Sequence, residues 1–173
     1  FDIAIVDPPY GIGENWKEDP SSRFYKHTST YNNSYIPSAD YFSELFRVSK
    51  NQIIWGANYY TMHLPARNSW VVWDKNADWP TQHKSEGELA WTSFNIPLRI
   101  VKILWNGCCV CEPRFGKHPH EKPTALYRWL LENYAKPGDR ILDTHVGSAS
   151  SLIAFESMGF NYVGYEIDPG YYE

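Results

Sequence analysis

The chain has 173 residues, 43% of them hydrophobic and 21% charged, with a net charge of −4 at neutral pH. That length suits one domain with a sizeable core, and no apolar run approaches the roughly 20 residues of a membrane span. Aromatic residues reach 17%, with eight Trp and thirteen Tyr, more than a core of this size needs, so some rings are expected to face a ligand or partner.

Ile3-Ala4-Ile5-Val6 is a short β-branched run and reads as a buried strand. Pro8 and Pro9 stop it, because neither donates to a sheet ladder and each fixes its own φ. The outcome is a stiff turn, Asp7-Pro8-Pro9-Tyr10, holding a carboxylate, free carbonyls and a ring at a strand's carboxyl end. Ligands bind at that edge of open α/β sheets. Taken alone, the tetrad is equally a strand cap with a polar turn.

Residues 14–36 are polar and without period, and read as a long loop. Pro37-Ser38-Ala39-Asp40 opens a helix through Val48, and residues 52–55 form a second strand ending in Gly56-Ala57-Asn58. Residues 69–73 are a third strand, followed by the polar 74–84 loop. Residues 88–94 and 98–105 read as two strands of an antiparallel hairpin turning at Asn95-Ile96-Pro97. A basic connection over 113–123 leads to a strong helix over 124–135, whose Leu126, Trp129, Leu130 and Leu131 form a broad apolar face. The last third is a βαβ unit: strand 140–143, the small-residue turn Gly147-Ser148-Ala149-Ser150, helix 151–158 and strand 161–165 closing on Glu166.

Cys108, Cys109 and Cys111 lie near His118 and His120, but no Cys-x-x-Cys pair is present. Adjacent cysteines rarely ligate one tetrahedral ion, so reduced thiols in a cytoplasmic protein are expected, with no metal. Charge is unevenly spread. Residues 96–122 carry Arg99, Lys102, Arg114, Lys117 and Lys122 against two Glu, whereas residues from 139 onward are acidic apart from Arg140. One basic and one acidic surface suit a polyanion and a cationic cofactor.

The βαβ unit has the make-up of a nucleoside half-site. A strand ends in Asp143, a small-residue turn exposes backbone N–H groups, and a second strand ends in a carboxylate able to accept ribose hydroxyls. The full glycine pattern of dinucleotide enzymes is absent, which favours a nucleoside without phosphates.

Asp7-Pro8-Pro9-Tyr10, then His118-Pro119-His120-Glu121-Lys122-Pro123, Asp143-Thr144-His145-Val146-Gly147-Ser148-Ala149-Ser150 and Gly164-Tyr165-Glu166 with Tyr172 occur in that order. Together they resemble the beta group of DNA amino-methyltransferases, which use S-adenosylmethionine and carry the catalytic tetrad ahead of the cofactor motifs. Thr144, His145 and Ala149 depart from that group's Asp-Pro-Phe-x-Gly-Ser-Gly-Thr pattern, which puts the usual packing around methionine in doubt.

The resemblance implies a Rossmann-like α/β methyltransferase fold, a mostly parallel sheet with an antiparallel hairpin and a circularly permuted motif order. It also implies one domain over 1–173, incomplete at both ends, with a catalytic half (1–95), a hairpin strand and basic connection (96–122) and a cofactor half (123–173). Asp7 and the Pro8 carbonyl would accept the N–H groups of an exocyclic amine, with Pro9 stiffening the turn and Tyr10 stacking on a flipped base. Glu166 would take the ribose hydroxyls and Ile167 the adenine. Asp143, Gly147 and Ser148 would hold the methionine end, and Lys122 and Pro123 would open a helix whose N-terminus receives the methionine carboxylate.

Asn58, Arg99, Lys102, Arg114 and Lys117 are candidate DNA contacts; Asn58 is better explained as part of a simple turn, and a solvated surface explains each of the four basic residues nearly as well. Glu88 and Trp91 read as core-edge residues rather than catalytic ones. Asp at the head of the tetrad goes mainly with adenine N6 in this group, with cytosine N4 the near alternative and an inert DNA- or cofactor-binding module the other class. A homodimer is allowed, since relatives often dimerise.

Overall fold

β1 (Ile3–Val6) is buried on both faces, as four consecutive apolar residues require. Its alternating side chains divide between two cores: Ile3 and Ile5 point into one, Ala4 and Val6 into the other. β1 is therefore central, and the chain wraps helices over both of its faces. The computed structural model describes residues 1–13, 34–77, 85–105, 110–113 and 121–169. The motif residues Arg114, Lys117, His118, Pro119, His120 and Tyr172 lie outside those, as do Cys108, Cys109 and most of the predicted 14–36 loop.

The remaining elements are α1 (Ala39–Val48), β2 (Asn51–Trp55), β3 (Trp70–Asp74), β4 (Gly87–Thr92), β5 (Arg99–Lys102), α2 (Thr124–Tyr134), β6 (Arg140–Asp143), α3 (Ser150–Ser157) and β7 (Asn161–Gly164). Among the described residues seven strands form one sheet, in the order β5-β3-β4-β2-β1-β6-β7. α1 covers one face through Phe42 and Leu45. α2 and α3 cover the other, through Leu126, Leu130, Leu131, Ala154 and Phe155. Crossovers that leave the centre in opposite directions deliver helices to opposite faces when both are right-handed.

Among the described strands every pairing is parallel except those of β4, which runs against both β2 and β3. The α/β sheet is thus mostly parallel, as expected, but the antiparallel hairpin is not the predicted one. β4 and β5 do point in opposite directions, yet they are not neighbours. Both edges of β4 are filled, by β2 and β3, so β5 pairs in parallel with the far edge of β3, matching Val71 to Arg99 and Asp74 to Lys102. Gly87 permits the tight β3–β4 approach, since a Cβ there would lie 2.5 Å from the Trp73 carbonyl oxygen.

This arrangement determines which residues share an edge. The carboxyl ends of β1, β2, β3, β6 and β7 emerge together, and the reversed β4 brings its start, Glu88, to the same edge opposite Trp73. β1 is flanked by β2 and β6, which lie on outgoing and returning branches of the chain, so the crevice beside it is the topological switch point. Among the described residues no helix is long and apolar enough to cross a membrane.

Candidate active site

The tetrad leaves β1 into that crevice. Tyr10 folds back so that its hydroxyl donates to Asp7 Oδ1 at 2.5 Å. The buried Tyr60 hydroxyl lies 2.6 Å from the Pro8 carbonyl oxygen and 2.7 Å from that of Pro9, and can donate to one of them at a time. Two carbonyls that the proline turn leaves without ladder partners are thus held by one phenol. Tyr10 and Tyr59 are stacked, with centroids 5.2 Å apart and planes inclined by 16°. The ring expected to receive a base already has an aromatic neighbour.

Gly56 makes this fold-back possible. It sits at φ 65°, in the left-handed region, and a Cβ there would fall 2.1 Å from Tyr10 Cε1. The turn at Gly56-Ala57-Asn58, which the sequence left open as a plain turn, is therefore shaped around the Tyr10 ring. Asn58 is exposed beside it.

Lys122 meets the tetrad from the far side. Its ammonium pairs with Asp7 Oδ2 and lies 3.1 Å from Glu88 Oε2 and 3.2 Å from the Tyr10 hydroxyl. Lys75, just past β3, pairs with Glu88 Oε1. Two ammonium groups and two carboxylates so alternate across the crevice, with the Lys122 side chain only 4% exposed. Burial disfavours charge on Lys122, but Asp7 and Glu88 outweigh it and raise its pKa above the ordinary lysine value. Burial likewise opposes the charge of Glu88, and the two lysines overcome it, holding that carboxyl below its usual range. Burial and the two nearby carboxylates push the Tyr10 phenol well above its ordinary range, so it is a neutral donor at working pH.

The second half of the crevice is the β6–β7 unit. Asp143 is buried and anchors its turn, accepting from the Ser151 hydroxyl at 2.5 Å and the His145 N–H at 2.9 Å. Burial raises its pKa to about 7 despite those bonds. Glu166 accepts the Gly147 N–H at 2.7 Å through one oxygen and the Asp168 N–H at 2.8 Å through the other, tying the end of β7 to the small-residue turn. Ser148 bonds Ser150 inside that turn. Beside Glu166, Ile167 is 88% exposed and Tyr165 60%, an apolar pair at the surface. A nucleoside base and ribose fit such a surface.

The structure therefore brings Asp7, Pro8, Pro9 and Tyr10 together, and Asp143, Gly147, Ser148, Glu166 and Ile167 together, on adjacent strands. It rearranges the expectation for Lys122. The ammonium faces Asp7 and Glu88 rather than the start of α2, whose Thr124 and Ala125 N–H groups point at the carboxylate of Glu112. Pro123 is the N-cap, and that helix end is satisfied by the chain's own carboxylate. A cofactor carboxylate would have to displace Glu112 there. Lys102 is exposed at the carboxyl end of β5, on the ligand edge, whereas Arg99 stands at the opposite end, about 10 Å away at 3.3 Å per residue.

The departures from the motif have visible local consequences. Ala149 adopts φ 63°, the left-handed conformation for which the motif's glycine is suited. His145 packs edge-on against Tyr41 and bonds Thr144 Oγ1 at 2.9 Å; burial lowers its pKa to about 4, so the ring is neutral. Sequence reasoning missed Glu88, Lys75, Tyr59, Tyr60 and Glu112. The only signal for Glu88 was a charge in the strand Glu-Leu-Ala-Trp, and it read as a core edge because the reversal of β4 was not visible. Among the described residues no cluster of His, Cys, Asp and Glu could hold a metal ion, and Cys111 is exposed as a free thiol.

Comparison with known proteins agrees with this geometry. The chain is 22% identical over its whole length to the type II methyltransferase M.HpaI of Haemophilus parainfluenzae, of which it spans 66%. It is also 22% identical, over 98% of its length, to the DNA adenine methyltransferase YhdJ of Escherichia coli K12, of which it spans 73%. Its fold is that of the M1.HpyAVI–SAM complex (TM-score 0.61, 18% identity, 99% of this chain and 84% of that one). The cytosine-N4-specific PvuII DNA methyltransferase is similarly close in fold (TM-score 0.63, 12% identity, 99% and 76%). A family model described as DNA methylase matches residues 65–173, more than half of the chain. The chain belongs to the N6/N4 DNA methylase family.

Proposed function

We propose that this chain transfers a methyl group from S-adenosylmethionine to the N6 amine of adenine in DNA. The observation that carries this reading is the parallel pairing of β1 with β6, Ile3 beside Ile141 and Ala4 beside Leu142. That register sets the Asp7 tetrad next to the Asp143–Glu166 half-site at one edge, so an amine acceptor and a nucleoside cradle share a crevice. When bound, S-adenosylmethionine would supply the electrophilic methyl group, the S–CH3 electron pair remaining on sulfur as a neutral thioether, while one N–H proton of the amine leaves by way of Asp7 to water. Glu166 is in reach of ribose hydroxyls through the lone pairs its two backbone N–H bonds leave free, and Ile167 and Tyr165 offer the exposed apolar surface an adenine needs.

An exocyclic purine amine is a weak nucleophile, because its lone pair is delocalised into the ring. Asp7 and the Pro8 carbonyl accept its two N–H groups and so favour a tetrahedral nitrogen with a localised lone pair. Each acceptor already has an internal donor, Tyr10 and Lys122 for Asp7 and Tyr60 for Pro8. The amine therefore enters by exchanging hydrogen bonds rather than by stripping water from a bare carboxylate, and such preorganisation lowers the reorganisation cost. Tyr10 is available to the base once Tyr59 gives up their shared face. Lys102 and Asn58, exposed on the same edge, serve as contacts to the strand.

Asp7 at the head of the tetrad favours adenine, in line with the name of YhdJ. The fold similarity to the cytosine-N4-specific PvuII methyltransferase supports N4-cytosine as the second reading. The homodimer that the resemblance allows has no support in the described surfaces. Incubating the protein with unmethylated DNA and labelled S-adenosylmethionine, followed by nucleoside analysis, separates the readings. N6-methyladenine is expected; N4-methylcytosine as the sole product moves the assignment to cytosine, and no product makes the chain a binding module.

A further inference from the structure

Glu88 has no part in the chemistry above, yet the site converges on it. Lys75 pairs with its Oε1, Lys122 lies 3.1 Å from its Oε2, and the Tyr10 hydroxyl is 3.4 Å from the same oxygen. It reaches the ligand edge because β4 alone among the described strands runs backward, and Lys75 follows β3 at the same level. A buried lysine between two carboxylates is shared rather than spent on either. Were Lys122 paired with Asp7 alone, the two charges would cancel, leaving Asp7 a poor acceptor for incoming N–H groups. A second carboxylate on the far side draws part of the ammonium's field away from Asp7.

We propose that Glu88 is a positioning residue for methyl transfer: it holds Lys122 between two carboxylates, so that Asp7 keeps its strength as acceptor of the target amine. This inference rests on the reading of Asp7 as that acceptor. Without the Glu88 charge the ammonium is left to Asp7 alone, so its removal is expected to lower the rate by roughly 10- to 100-fold.

The test compares Glu88→Gln, Glu88→Asp, Lys122→Met and the Glu88→Gln/Lys122→Met double variant in single-turnover methyl transfer, with S-adenosylmethionine affinity measured by calorimetry. Glu88→Gln should slow the single turnover while cofactor affinity stays within about twofold, and Glu88→Asp should recover most of the rate. In the Lys122→Met background the same change should cost less than about threefold, because its target is gone. Full rate in Glu88→Gln, additive effects in the double variant, or a loss of cofactor affinity that matches the loss of rate would each overturn the proposal. A readout independent of substrate is the Lys122 ammonium titration, followed by NMR in lysine-labelled protein. It should move to lower pH in Glu88→Gln, or in Glu88→Ala should the former not fold. An unmoved titration sinks the Glu88–Lys122 coupling, whereas a wild-type protein that methylates no DNA sinks the underlying reading of Asp7.

Discussion

Replacing Gly56 with Ala tests whether the tetrad is shaped by its neighbouring turn. Two costs can be read from the structure. Gly56 lies at φ 65°, where an L-residue loses roughly 1–2 kcal/mol. Its new Cβ would fall 2.1, 2.5 and 2.7 Å from Cε1, Cδ1 and Cζ of Tyr10, and no aromatic ring tolerates contacts that short. The ring cannot retreat freely, being stacked on Tyr59 and bonded through its hydroxyl to Asp7. Overpacking of this kind costs about 1–3 kcal/mol. Against this stands about 0.4–1 kcal/mol from the stiffer unfolded chain.

A net destabilisation of about 2–4 kcal/mol is expected, read by urea unfolding as a lower midpoint at unchanged slope. Methyl transfer should fall with it, while cofactor affinity should hold, because the Asp143–Glu166 half-site is on the other side of β1. In a Tyr10→Ala background the clash disappears and only the backbone cost of roughly 1–2 kcal/mol should remain. A loss below about 1 kcal/mol in the single variant, or an equal loss in both backgrounds, would refute the claim that Gly56 is reserved for the Tyr10 ring.

The reverse substitution is expected at the cofactor turn: Ala149→Gly relieves φ 63° and should stabilise the protein by about 1 kcal/mol in the same assay. A destabilised variant would show that the Ala149 methyl is needed for packing. Asp143 makes stability depend on pH. Burial raises its folded pKa from 3.8 to about 7, so its contribution is full below about pH 4 and is lost as pH rises through 7. Asp143→Asn should therefore show a flatter fall in unfolding free energy between pH 4 and 7 than the wild type, and parallel profiles would contradict the assignment. On DNA, Lys102→Gln should lower the salt slope of binding by about one, whereas Arg99→Gln, at the far end of β5, should leave it unchanged. Equal effects of the two would place DNA elsewhere than the carboxyl edge.

Local patterns carried much of this protein. The run Ile3–Val6, the double proline after it, the apolar face of α2 and the β6–α3–β7 unit are short stretches whose structure follows from their own residues. So are the two parts of the crevice, Asp7–Tyr10 and Asp143–Glu166. The partnerships across the sheet were decided elsewhere. Whether β5 pairs with β4 or β3 depends on which edges are already taken, and nothing between residues 88 and 105 records that β2 and β3 have filled both sides of β4.

The charge network has the same origin. Asp7, Lys75, Glu88 and Lys122 come from four separate segments, and the Lys122–Asp7 contact spans 115 residues. Each has an ordinary polar setting in the sequence, so Lys122 looked like a cofactor ligand and Glu88 like a strand edge. Composition and spacing determined that a strand-end carboxylate and a small-residue turn exist, because those depend on backbone stops and small residues within a few positions. Only the folded sheet decided that Lys122 faces Asp7 and that the reversed β4 brings Glu88 to the same cation, since electrostatic energy depends on distance through the folded molecule rather than on separation along the chain.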